Sequence, residues 1–229
     1  MESNSIRLLI FTKDTLTVCS IGGAGAYIGR SARKEGTVVI DSPIVSRLHG
    51  HFYKSADGHF RYEDLGSTNG TFADGVLLGV DRKEGDNRLD ASAVLSDGSV
   101  LRIDAGSDIS HPEAVVIAVT EDTGGQIVRE TMEIGDGSEV VLAPGSGEQV
   151  LLYRTGGGLK ISSLSTHGTV LVNNRPINRS TDLGFFDVVK AGRVIIAAAG
   201  NRIVICCGEE DRKELSVTIR DRKKRGILQ

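Results

Sequence analysis

Arg30, Ser46, Arg47 and His49 lie within one stretch of mostly β-forming residues, YIGRSARKEGTVVIDSPIVSRLHGHF (Tyr27–Phe52). Each of these side chains costs free energy to bury without a partner, so a segment that gathers four of them has a use for them. Two chemistries fit the set. One is nucleophilic hydrolysis built on Ser46 and His49, and the other is a loop pocket that holds a phosphate.

Hydrolysis needs a serine, a base within hydrogen-bond reach and a third group that orients the base, commonly in a strained G-x-S-x-G turn. Ser46 stands in IVSRLHG with no glycine elbow, and on extended chain residues three apart point to opposite faces. His49, His51 and His59 are poor metal ligands, having no cysteine nearby and no acidic residue at ligand spacing, so no metal and no cofactor is expected. GGAGAYIG (Gly22–Gly29) lacks the following helix that a dinucleotide or phosphate loop requires. TGGGLK (Thr155–Lys160) reads as a hairpin turn.

The phosphate pocket uses every part. Arg30 presents a planar fork of donors suited to phosphate oxygens. Ser46 adds a neutral hydroxyl and Arg47 a second cation. A phosphorylated threonine brings about −1.5 to −2 charge and three acceptor oxygens, which such a set complements. Asn69, held in a turn by Gly70, can take both a C=O and an N–H of a bound peptide backbone through its amide.

These residues must be carried by strands. IRLLIF, TLTVC, TVVI, HGHFY, HFRYEDL, VLRID, AVVIAV and their successors are short, β-branched or aromatic, and bounded by Gly, Asp, Asn or Ser. That is the pattern of an all-β sandwich, and no stretch shows helical periodicity. The pattern also repeats. YEDLGSTNGTFADGVLL (62–78) returns in outline as KISSLSTHGTVLVNNRPI (160–177), and LSDGSVLRI (95–103) as FFDVVKAGRVII (185–196). Further back, SRLHGHFYK (46–54) aligns with SGEQVLLYR (146–154), and YIGRS with EIGDG (133–137). Two tandem β-sandwiches are expected to meet near Glu121–Gly125. The polar run GVDRKEGDNRLDASA (79–93) reads as a surface loop.

Composition narrows the partners. Of 229 residues, 39% are hydrophobic and none is Trp, which suits cores of Val, Ile and Leu. The formal charge of −3 argues against nucleic acid as the partner, although the last ten residues carry +4 and read as a solvated tail. Three cysteines, two of them adjacent, form no disulfide framework. With no signal-peptide pattern at the start, the expectation is a cytoplasmic protein.

The ordered set IGR, DSPIVSRLHG and DLGSTNGTF resembles the motif set of the forkhead-associated (FHA) domain, over about residues 5–120. The resemblance implies an FHA/SMAD-like β-sandwich that binds a phosphothreonine-containing peptide or protein, the substrate of a Ser/Thr kinase, through loops at one end. It implies phosphate contacts from Arg30 and Ser46, assisted by Arg47 and Thr68, and peptide-backbone contacts from Asn69. Gly29, His49 and Gly70 would shape the loops. Preference for threonine would come from a niche for its γ-methyl, worth ~0.8 kcal/mol.

On this reading residues 1–121 are a phosphothreonine-binding FHA domain and 122–208 a degenerate FHA-like copy. In the copy Asp136 replaces Arg30, Gln149 replaces His49 and His167 replaces Asn69, although Ser146 stands opposite Ser46. An aspartate repels phosphate. Residues 209–229 read as a linker and the start of a further domain. LSVTIRDRK (215–223) is similar to the strand that opens the ATP-binding domain of bacterial FHA–ABC transporter proteins. That implies a regulatory module on the cytosolic face of a membrane, ahead of a membrane-embedded region of the same protein. The alternative is a phosphate-independent assembly scaffold, such as the tandem FHA region of a type VII secretion membrane ATPase. No residue of this stretch is expected to make it an enzyme.

Overall fold

The computed structural model describes residues 4–13, 15–79, 91–104, 113–156, 158–165 and 169–221. Most of the polar insertion (80–90), His167 and the basic run Arg222–Arg225 lie outside the described residues. The chain divides into two compact units between Thr123 and Gly124.

The first unit contains β1 (Ser5–Phe11), β2 (Leu16–Gly22), β3 (Ala26–Gly29), β4 (Thr37–Val39), β5 (Gly50–Lys54), β6 (Phe60–Asp64), β7 (Thr71–Ala73), β8 (Val76–Leu78), β9 (Ser92–Val94), β10 (Val100–Asp104) and β11 (Ala114–Glu121). They form two sheets, ordered β2-β1-β11-β10-β7-β8 and β4-β3-β5-β6-β9. Period-two burial is clearest on β6, FRYED, where Phe60, Tyr62 and Asp64 point inward while Arg61 and Glu63 face outward. Leu8, Ile10, Ile28, Phe52, Tyr62, Leu101, Ile103 and Ile117 join the inner faces into one core. The inward face of a sandwich must be apolar, and these aliphatic and aromatic residues supply it.

One loop is fastened into that core. Ile40, Ile44 and Val45 lie between β4 and β5, and all three are buried members of the same cluster. Their burial leaves the neighbouring Ser46 and Arg47 little freedom to wander.

The second unit contains β12 (Ile127–Glu133), β13 (Ser138–Ala143), β14 (Val150–Thr155), β15 (Gly158–Ser163), β16 (Val170–Val172), β17 (Arg175–Pro176), β18 (Thr181–Leu183), β19 (Val188–Ala191), β20 (Val194–Ala199), β21 (Arg202–Gly208), the short helix α1 (Glu209–Glu214) and β22 (Ser216–Asp221). Its sheets run β12-β21-β20-β19-β16-β17 and β18-β15-β14-β13-β22. Laid beside the first unit, every position is filled, but in a permuted chain order. Between β2 and β11 stands β1, the first strand of its unit. The corresponding place between β12 and β20 is held by β21, which arrives from the C-terminal side.

Details repeat with the topology. The Asp74 N–H donates to the Val100 carbonyl at 2.8 Å, and the Asn173 N–H to the Val188 carbonyl at 2.8 Å. Both residues have positive φ, 48° and 49°. Asp74 and Asn173 also accept from the amides of Val100 and Val188 in return, at 2.8 and 3.0 Å. Asp and Asn tolerate this conformation because a short polar side chain can bond locally.

Two expectations need correction. Residues 209–229 were expected to be a linker and the start of a further domain. Instead β22 pairs antiparallel with β13 from Ser138↔Asp221 to Ala143↔Ser216 and belongs to the second unit. Leu215 is buried in that unit's core, with Val217 packed against it. The helix before it, EEDRKE, has no apolar period and was invisible to pattern; acidic residues in its first turn and basic ones in its last favour it. The second correction concerns Asp136. It does not hold the place of Arg30, because the turn Gly135–Gly137 precedes β13, whereas Arg30 follows β3. The residue leaving β13 is Pro144.

Candidate functional site

Two loops of the first unit meet at one end of its sandwich. The backbone N–H of Arg30 donates to the Ser46 carbonyl at 2.9 Å, and the Ser31 hydroxyl to the Arg47 carbonyl at 3.3 Å. The contact is so close that a Cβ on Gly29 would overlap the Arg47 carbonyl oxygen, so only glycine fits there. Arg30 and Arg47 are exposed, and among the described residues neither forms an ion pair.

A third loop joins through the hydroxyl of Ser46. It accepts from the Thr68 N–H at 3.0 Å and donates to Thr68 Oγ1 at 3.3 Å. Asn69 Nδ2 donates to the Ile44 carbonyl at 2.8 Å, which braces the loop, while its Oδ1 has no partner among the described residues. Gly70 supplies the left-handed turn, at φ 73°. The structure thus brings together Arg30, Ser46, Arg47, Thr68 and Asn69, five residues spread over 40 positions of sequence.

His49 lies beneath them, fully buried. Its Nδ1 accepts the backbone N–H of Ser46 at 3.0 Å, so the neutral ring carries its proton on Nε2 and donates to Thr71 Oγ1 at 3.2 Å. Thr71 donates in turn to Asp64 Oδ2 at 2.8 Å, and Tyr62 OH completes the set on the same hydroxyl at 3.0 Å. Every polar atom in this buried chain has a partner. Burial pushes the His49 imidazole below the ordinary histidine range, against the opposing pull of the Asp64 carboxylate. It also pushes the Tyr62 phenol upward.

This geometry rules out one of the two chemistries. His49 Nδ1 is taken by the Ser46 amide and not by its hydroxyl, so the imidazole is not placed to receive a proton from Ser46 Oγ. His51 is also accounted for, stacked between Tyr27 and Tyr53 with ring centroids 4.2 and 5.5 Å away. Among the described residues no three His, Cys, Asp or Glu side chains gather as metal ligands.

Sequence reasoning missed the residue that organises the third loop. Asp64 accepts the amides of Gly66 and Ser67 at 2.9 and 2.7 Å on one oxygen and the Ser67 hydroxyl at 2.7 Å on the other. An Asp two residues before a Gly is an Asx-turn signal, and it was legible in DLGSTNG.

The second unit keeps the frame without the cations. The Leu164 N–H donates to the Gln149 carbonyl as the Leu65 N–H does to that of His49, at 2.8 and 3.0 Å. The 20 residues from Arg30 to His49 shrink there to Pro144–Gln149. Glu214 of α1 packs so closely on Gly145 that a Cβ there would overlap its carboxylate. A cavity of about 290 Å³ beside this loop is lined by Ser146, Arg193, Asp211 and Glu214.

Residues 26–104 match the FHA domain family model. Among solved structures, the chain is similar to the FHA domain of the CT664 protein from Chlamydia trachomatis, at 16% identity and a TM-score of 0.37, over 51% of this chain and 97% of that one. It is also similar to Mycobacterium tuberculosis EmbR, solved with a low-affinity phosphopeptide, at 20% identity and a TM-score of 0.37, over 53% of this chain and 26% of that one. The N-terminal FHA domain of S. cerevisiae RAD53P, in complex with a phosphothreonine peptide, matches at 15% identity and a TM-score of 0.38, over 51% and 93% of the two chains. No curated protein matches.

Proposed function

We propose that the first unit binds phosphothreonine peptides and so converts a Ser/Thr kinase's action on a partner into association. Arg30 and Ser46 take the phosphate, with Arg47 and Thr68 assisting, and Asn69 holds the peptide backbone beside it. The observation that carries this reading is the junction of three loops at Ser46, whose carbonyl accepts the Arg30 N–H and whose hydroxyl bonds Thr68, with two exposed arginines that lack ion pairs among the described residues. Such a site is preformed, so little ordering is left to oppose binding.

The second unit is read as a β-sandwich kept for packing or partner contact. Its shortened loop offers no cation in the place of Arg30, and in the neighbouring cavity Asp211 and Glu214 outnumber Arg193, which pairs with Asp211 at 3.9 Å. The three cysteines are free thiols, which fits a cytosolic setting. No helix among the described residues is long and apolar enough to cross a membrane. A link to an ABC transporter ATPase rests on the resemblance of Leu215–Lys223 alone, and within that stretch Ser216–Asp221 form the edge strand β22 of the second unit.

The test is calorimetric titration with a degenerate phosphothreonine peptide pool, its unphosphorylated and phosphoserine counterparts, and Arg30→Ala alongside. Binding of the phosphothreonine pool alone, lost in the variant, supports the proposal. Equal binding of the unphosphorylated pool, or none of any pool, overturns it and leaves the phosphate-independent scaffold.

A further inference from the structure

The cavity of the second unit lies where three segments meet: the loop Pro144–Glu148 between β13 and β14, the turn Gly192–Arg193 between β19 and β20, and the helix α1. They touch directly. A Cβ on Gly192 would overlap the Ser146 hydroxyl and come within 3.1 Å of Glu148 Oε2, as one on Gly145 would overlap the Glu214 carboxylate. The space of about 290 Å³ has an apolar floor of buried Pro144 and Val194 and a polar rim of Ser146, Arg193, Asp211 and Glu214.

The rim is acidic. Arg193 is the one cation of the lining, 70% exposed and no nearer than 3.9 Å to Asp211. The cations of α1 are committed elsewhere, Arg212 to Glu130 and Lys213 to Glu210, each at 2.6 Å. Glu214 joins no ion pair among the described residues. Beside Ser146, Glu148 Oε2 is shut off from solvent with no hydrogen-bond partner, alone in this among the buried side-chain oxygens and nitrogens of the described residues. Burying a carboxylate oxygen without a donor is costly, and the described residues supply none, so the donor comes from outside them.

That donor is cationic, because Glu148, Asp211 and Glu214 against Arg193 leave a formal −2. A bare metal ion is a poor match, since no three His, Cys, Asp or Glu side chains gather as ligands among the described residues. An apolar floor under an acidic rim suits an alkyl stem that ends in nitrogen.

We infer that this cavity binds a guanidinium or ammonium group on a short alkyl stem, with the stem on Pro144 and Val194 and the head against Glu148 and Glu214. An Arg or Lys side chain of a partner protein and a free diamine share this chemistry. The inference stands apart from the phosphothreonine reading, which concerns the first unit.

The experiment titrates the whole chain with N-acetylarginine methylamide, the lysine and norleucine equivalents, putrescine and Mg²⁺, following the amide resonances of Gly145 and Gly192. Saturable shifts with a blocked basic residue or with putrescine, and none with norleucine, support the inference and show which source the cavity accepts. Glu148→Gln should weaken that binding by about tenfold or more, and Glu214→Gln, on the exposed rim, by about two- to fivefold. Without ligand, Glu148→Gln should keep or raise the thermal midpoint, because it removes a buried charge that lacks a partner. A residue that served only the fold would lower it. No saturable shift from any nitrogen cation, equal shifts from norleucine, or affinity unchanged in Glu148→Gln each overturns the inference, and saturation by Mg²⁺ alone overturns it in favour of a metal.

Discussion

The backbone N–H of Ser46 donates to Nδ1 of His49 at 3.0 Å, three residues along the chain. The bond requires an unprotonated nitrogen, so the shape of the loop that presents Ser46 depends on a neutral imidazole buried beneath it. A histidine that looked like a candidate general base is a brace.

Stability should therefore depend on pH through His49. Its folded pKa lies below that of the unfolded chain, so the unfolded state takes up a proton first as pH falls. The stabilisation is fully present above about pH 6.5, declines below it and is lost as pH passes through the folded value. Urea midpoints measured between pH 7.5 and 5 should fall for the wild type. They should fall less for His49→Gln, which places in the first unit the residue its counterpart carries as Gln149. Parallel curves would refute the role.

Gly29→Ala should damage the site without touching a phosphate contact. Its Cβ would collide with the backbone oxygen of Arg47, which can move only by shifting the loop that carries Ser46. Affinity for the phosphothreonine pool is expected to drop by at least tenfold, with thermal unfolding lowered by a few degrees. Unchanged affinity would show that the loop tolerates displacement.

Ser46→Ala separates binding from folding. The hydroxyl accepts the Thr68 amide, a bond worth ~1 kcal/mol, at a position open to water that can replace it. Stability should fall by about that much or less, while phosphopeptide affinity falls by an order of magnitude or more. A variant that binds normally would remove Ser46 from the phosphate contacts.

Leu215→Ala tests whether the C-terminal segment is integral to the second unit. Leu215 is 5% exposed within that unit's core. Truncating a buried leucine costs ~2–5 kcal/mol, to which the loss of transfer energy and the cavity both contribute. A calorimetric scan should show a clearly destabilised transition, and a loss below about 0.5 kcal/mol would mean that α1 and β22 dock only loosely.

Much was legible in the sequence, for local physical reasons. Period-two alternation in strands such as FRYED marks a sandwich because one face of each strand must be apolar. Asn69 and Gly70 announce their turn, and a guanidinium, a hydroxyl and an amide announce phosphate chemistry by their donors alone. The internal repeat was visible too, but its register was not. A pattern match aligned Arg30 with Asp136, and only strand pairing showed that one follows its strand while the other precedes it.

Local residue pattern carried the class of fold and the chemistry available to it. Long-range pairing set which atoms meet. It set Ser46 against Thr68, 22 residues away, and His49 under Ser46 by way of Thr71 and Asp64. It also turned LSVTIRD from an apparent new beginning into an edge strand of the second unit, paired along β13. A strand's propensity is written in its own residues, but its partner is chosen by whichever sheet edge and core cavity the rest of the chain leaves open, and that is a property of the whole fold.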